Sequence, residues 1–264
     1  MKNILVPIGA SQNGKNTLQY AIDFASEIGA NVFVLKAFNT INKAGHLANV
    51  DEVVERSNTQ SLREVIEQVN TKDVEVKVIA AKGIVVDTIL SVNDELGIDL
   101  VVIGPRPNDL GDELFLGRTS GSIIKQTEIP VLVVPEGYEF QPIKKVLTAI
   151  KSGIVKDSAS LIPLETIIEK FEAKMHLLQI KTVDFLPEDL EFFSDLAALT
   201  SSYNSSENAT LFQGVLEHLN DKNPDLICVF RRKRGFFQKL LEQNTIKKIE
   251  FESRLPLLVL KGAE

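Results

Sequence analysis

Asp99-Leu-Val-Val-Ile-Gly104 and, after a helical stretch, Ile129-Pro-Val-Leu-Val-Val134 decide the reading of this chain, because both are written twice. Their second copies are Asp225-Leu-Ile-Cys-Val-Phe230 and Leu255-Pro-Leu-Leu-Val-Leu260. In each copy 31 positions separate the Asp from the Pro. Matched elements at matched spacing mean one fold used twice. The 264 residues then divide into two domains of ordinary size, 1–136 and 143–264, joined by a linker from Pro135 to Pro142.

Working outward, Ile4-Leu-Val6 is a continuous apolar run, the mark of a strand covered on both faces. Leu18, Ala21, Ile22, Ala25 and Ile28 follow helical spacing up to Gly29, which suits a helix stop. Val32-Phe-Val-Leu35 is a second strand. A helix follows from Val50 to Val69, with Ser57-Asn58 as a point of interruption. Val74-Glu-Val-Lys-Val-Ile79 alternates as a third strand near a sheet edge, and Ile84–Leu96 is helical. Leu100–Ile103 and Val131–Val134 are the fourth and fifth strands, with a helix around Thr119–Thr127 between them. Strands alternating with helices predict an α/β fold with a mostly parallel sheet.

The second half restarts at Val146-Leu147. Met175–Ile180 reads as its second strand and Thr210–Gly214 as its third, with Ser201–Ser206 a polar loop. Gly83 to Asp99 spans 16 positions and Gly214 to Asp225 spans 11, so the second half reads as more compact there.

Composition narrows the function. Apolar residues make up 44%, charged residues 25%, and the formal charge is −7. Such a chain is a poor wrapper of bulk nucleic acid. Its apolar runs are too short to span a bilayer. An N-terminus that begins directly with a strand lacks a signal-peptide core, so the expected location is the cytoplasm. Cys228 sits in an apolar run and reads as a buried, inert thiol. His46, His176 and His218 fall on different elements without ligand spacing, so no metal site is expected. Glu188, Asp189 and Glu191 follow Pro187 and read as acids at a helix start. Thr119-Ser-Gly-Ser122 lacks the frame of a nucleophile elbow, and Thr119 or Ser120 reads as a helix N-cap.

The first half resembles the universal stress protein family, and the whole chain its tandem form. The resemblance rests on Ile4-Leu-Val-Pro7, Ser11, Asp99–Gly104, Gly117-Arg-Thr-Ser120 and Ile129–Val134. It implies two Rossmann-like domains of the adenine nucleotide alpha hydrolase-like type. Each would have a mostly parallel five-stranded sheet in the order 3-2-1-4-5. It also implies that the last strands, Val131–Val134 and Leu257–Leu260, pair within the chain as a pseudo-dimer. Association of two such chains as a homodimer is left open.

Many relatives bind ATP or another adenine nucleotide through Gly-x-x-Gly, nine residues, Gly-Ser/Thr. Glycines let backbone amides reach phosphate, and the following helix offers its N-terminus. Carried onto this chain, the cofactor-binding set is Ile8, Gly9, Ala37, Gly104, Arg106, Gly117, Arg118 and Thr119. Three departures stand out. Pro107 replaces the second glycine, Arg118 replaces the hydroxyl residue, and Gly9 stands where relatives carry an Asp near the adenine. Proline removes an amide. Arg118 reads either as a phosphate clamp or as a surface partner of Asp112 or Glu113.

In the second half Phe230 stands for Gly104 and Gln243 for Gly117. Arg231-Arg-Lys-Arg234 reads as a solvated loop, with attraction of a phosphate or an acidic partner as the alternative, and Phe236 and Phe237 as core, with an exposed contact surface as the alternative. The expected function is a non-catalytic stress-response regulator or adaptor with a degenerate nucleotide site and no catalytic residue. A nucleotide-gated switch that orders the loop Arg106–Arg118, and a slow ATP hydrolase, are the alternatives.

Overall fold

In the computed structural model, residues 1–9, 13–39, 50–105, 114–155, 157–231, 246–247 and 253–262 are described. The first half contains β1 (Asn3–Pro7), α1 (Asn13–Ile28), β2 (Asn31–Phe38), α2 (Val50–Ile66), β3 (Val76–Lys82) and α3 (Val85–Leu96). It continues with β4 (Leu100–Ile103), β5 (Leu114–Leu116), α4 (Arg118–Gln126) and β6 (Val131–Val133). The second half contains β7 (Lys145–Ile150), α5 (Ile162–Phe171), β8 (Lys174–Lys181), α6 (Ser194–Ala198), β9 (Thr200–Glu207) and α7 (Leu211–Lys222). β10 (Leu226–Arg231), β11 (Ile246–Lys247) and β12 (Leu257–Lys261) complete it.

Ten strands form one sheet in the order β3-β2-β1-β4-β6-β12-β10-β7-β8-β9. Read from either edge inward, each half runs third, second, first, fourth, last. Pairing within each half is parallel, and the halves meet where β6 runs antiparallel to β12, with Val131 opposite Val259 and Val133 opposite Leu257. β5 lies apart and pairs antiparallel with β11 of the other half. The side-chain period of two sends alternate residues to opposite faces. Ile4, Val34, Val102, Leu132, Val146, Cys228 and Leu258 join one core, while Leu5, Phe33, Val101, Val133, Leu147, Val229 and Val259 join the other. Both cores run through both halves.

The repeated Asp has a structural cause. The carboxylate of Asp99 accepts the backbone N–H groups of Lys2 and Asn3, and that of Asp225 accepts those of Lys144 and Lys145. Each Asp thus ties the start of its half's first strand to the start of the fourth. The repeated Pro matches too: Pro130 and Pro256 each contribute a carbonyl, accepting from Val101 N and Ile227 N.

Several expectations need correction. α2 runs unbroken through Ser57-Asn58. The third strand of the second half is the Ser-rich segment Thr200–Glu207, expected to be a loop. It pairs in parallel with β8 from Met175–Thr200 to Lys181–Glu207. Its polarity suits an outermost strand, where water satisfies one side and charge or polarity discourages further pairing. Thr210–Gly214, expected to be that strand, instead opens α7. The Thr210 hydroxyl accepts the N–H of Gln213 and caps the helix. The halves are therefore equally spaced here, since α3 and α7 each begin 14 positions before their Asp.

The segment joining the halves is packed. Tyr138 and Phe140 lie against Tyr20 and Phe24 of α1 and Phe171 of α5, with ring centroids 5.4–6.2 Å apart. Burial pushes the Tyr20 phenol well above its ordinary pKa. Among the described residues no helix is long and apolar enough to cross a membrane. Cys228 is free and fully buried, and burial raises its thiol pKa, so it is held as an unreactive core residue.

Candidate functional site

The carboxyl ends of β1 and β4 lie side by side, because β1 pairs with both β2 and β4. In an open parallel sheet this reversal of strand order leaves a crevice. Ile8 is buried beneath it, Gly9 is exposed at its rim, and Ala37 is half-buried near the end of β2, opposite Ala81. Gly104 and Gly117 are half-buried, while Arg118 and Thr119 are exposed at the start of α4. Arg106, Pro107, Asp109, Asp112 and Glu113 lie outside the described residues, as do Ser11, His46, Phe236, Phe237 and Gln243.

Three further residues build this mouth. Asn13 is only 5% exposed, and its side-chain amide donates to the carbonyl of Pro105 at 3.4 Å. Its Oδ1 is buried and has no hydrogen-bond partner among the described residues. Thr17 donates to the Asn13 carbonyl at 3.1 Å, and Ser120 donates to the carbonyl of Gly104 at 3.2 Å. A Cβ at position 104 would lie 2.7 Å from both Asn13 Nδ2 and Thr17 Oγ1. Gly104 is thus required by the packing of α1 against the end of β4. Asn13 and Thr17 stand out in the sequence only as polar residues within an otherwise apolar helix stripe.

Neither Thr119 nor Ser120 caps α4, contrary to expectation. The N-cap is Gly117, in extended conformation and without a side-chain cap. Among the described residues the first-turn N–H groups of α4 thus have no capping side chain, at the positive end of the helix dipole.

In the second half the segment after β8 packs against the end of β7, on one side of the equivalent mouth. Gly153, just beyond β7, bridges Phe192, and the N–H of Phe193 donates to the Gly153 carbonyl at 3.1 Å. A Cβ at 153 would lie 2.6 Å from the Phe192 ring. Lys151 binds the Asp184 carbonyl at 2.6 Å and the carboxylates of Asp184 at 3.0 Å and Asp189 at 3.7 Å. Hydrogen bonding from Thr182, then from Lys151, holds the Asp184 carboxyl below its ordinary pKa. Gln179, fully buried, donates to the carbonyls of Asp189 and Lys151 and accepts from the Tyr203 hydroxyl. Of the acids after Pro187, Asp189 serves structure, since it also accepts the N–H of Leu186.

Arg231 is not part of a solvated loop. Its side chain is 13% exposed and reaches across to the first half. Arg232 to Arg234 lie outside the described residues. Among the described residues no cluster of three or more His, Cys, Asp or Glu could hold a metal ion.

Residues 1–135 match the model of the universal stress protein family. This chain belongs to that family. A universal stress protein of Methanocaldococcus jannaschii is 22% identical to it over 138 residues, which are 50% of this chain and 81% of that one. The crystal structure of a universal stress protein from Archaeoglobus fulgidus superposes with a TM-score of 0.68 at 16% identity, over 98% of both chains. A functionally unknown protein from Pseudomonas aeruginosa superposes at 0.62, also with 16% identity, over 99% of this chain and 93% of that one. At such identities these two show a shared fold, and they share it along the full tandem length.

Proposed function

We propose that the chain is a non-catalytic regulator or adaptor of the stress response whose first half keeps an altered, weak site for the phosphate of an adenine nucleotide. The observation that carries this reading is the mouth between β1 and β4. There the start of α4, without a side-chain cap among the described residues, adjoins a Gly104 that accepts no side chain. Helix N-termini with open amides suit anions. The departures at Gly9, Pro107 and Arg118 remove the adenine-side carboxylate, one amide and one hydroxyl, so affinity is low. The packing of Phe192 and Asp184 against the end of β7 supports a scaffold or docking role for the second half.

The open start of α4 also favours a second reading, in which a tightly bound nucleotide orders the loop Arg106–Arg118 and switches the protein. Thermal unfolding with millimolar ATP, ADP and AMP separates the two, because a ligand that binds only the native state raises its stability. The regulator reading predicts a rise of no more than about 2 °C and no steady release of phosphate from ATP. A much larger rise that is lost in Arg118→Ala would establish the switch instead. Steady phosphate turnover would contradict both.

A further inference from the structure

We propose that Arg231 is a positioning residue through which the second half holds α4 of the first half, and so fixes the helix whose N-terminus forms the candidate anion site. Arg231 ends β10 and follows Phe230, the counterpart of Gly104. In the first half that position is Pro105, the opening of the phosphate-loop segment. In the second half the same position points the other way, across the seam between β6 and β12.

The Arg231 guanidinium lays Nη1 among the carbonyls of Ile124, Lys125 and Thr127, its two N–H groups shared among the three, and donates through Nη2 to the Glu128 carboxylate at 3.0 Å. Ile124 and Lys125 are in the last turn of α4, whose carbonyls lack intrahelical partners. A cation there satisfies them and complements the negative end of the dipole. Three carbonyls and one carboxylate converge on one planar group, a task that the arginine fork performs and a lysine ammonium does not. Lys261 of β12 pairs with the same Glu128, so two cations of the second half grip one acid of the first. About 10 Å³ of free space is left around this knot, room for one water at most.

The hold extends to the other end. β5, which ends one residue before Gly117, pairs with β11 of the second half. The second half therefore touches α4 just before its first residue and just after its last. A helix of nine residues is too short to be stable unaided, so its placement depends on these contacts and on packing against α3.

Amide hydrogen exchange on the full, ligand-free chain tests this without reference to any nucleotide. Arg231→Ala is expected to speed exchange at least tenfold in α4, including its middle at Gly121–Ile123, while amides of β8 exchange as in the parent. Arg231→Lys, which keeps the charge and the Glu128 pair but loses the fork, is expected to fold and to give an intermediate acceleration confined to α4. Unchanged α4 exchange in both variants would overturn the proposal. So would a uniform acceleration across the sheet, which would mean general destabilisation. Because no ligand is present, these outcomes are separate from any failure of the nucleotide reading.

Discussion

A methyl group at position 104 would sit 2.7 Å from Asn13 Nδ2 and 2.7 Å from Thr17 Oγ1. Both are side chains at the start of α1, both more than nine-tenths buried, so neither has free space to retreat into. Gly104→Ala is therefore expected to lower stability by about 1–3 kcal/mol, the usual cost of overpacking, read as a lower urea midpoint with an unchanged slope. An unchanged midpoint would mean that the end of β4 is not packed as described. The sequence singles out the same residue by its place in the resemblance, but its packing role has no sequence signal. That role depends on which face α1 presents to β4, a tertiary fact with no local signature. Arg231 was illegible for a related reason. A run of four basic residues reads as solvated, and only the seam between the halves places carbonyls within reach of the first of them.

At the scale of elements, the two halves end matching helices differently. After α1 and α3 the chain turns through left-handed Gly29 (φ 73°) and Gly97 (φ 64°). After α5 and α7 the corresponding residues are Glu172 (φ 51°) and Asn223 (φ 43°). Asn tolerates this region, whereas Glu pays the Cβ–carbonyl clash that glycine avoids. Glu172→Gly is expected to stabilise the protein by about 0.5–1 kcal/mol, after allowance for the greater freedom of glycine in the unfolded chain. Thermal unfolding checks it, and a lower Tm would contradict it. The strands that the sequence showed best, β1, β4, β6, β10 and β12, are continuous apolar runs buried on both faces. β9 escaped because an outermost strand need not be apolar, and Thr-Ser-Ser-Tyr-Asn-Ser-Ser-Glu lacks the burial that makes a strand visible. α7 was misread because Leu211-Phe212 after Thr210 resembles a short strand unless the Thr is recognised as a cap.

For the whole molecule, duplication has produced two halves with one frame and different mouths. The frame is kept by paired devices: Asp99 and Asp225, Pro130 and Pro256, and the antiparallel seam of β6 with β12. That seam leaves neither last strand with an open edge, and both cores continue across it. In the first half the crevice ends, among the described residues, in helix amides without a side-chain cap. In the second half Phe192 and the Lys151 pairs with Asp184 and Asp189 pack against the end of β7. On the function proposed above, ligand chemistry belongs to the first half and support to the second. The most direct measurement is a backbone amide NMR titration of the full chain with ATP into the millimolar range. The account predicts perturbations at Gly104 and at Gly117 to Ser120, with none at Lys151 to Gly153. Perturbations at Lys151 to Gly153, or none in the first half at saturating nucleotide, would contradict it.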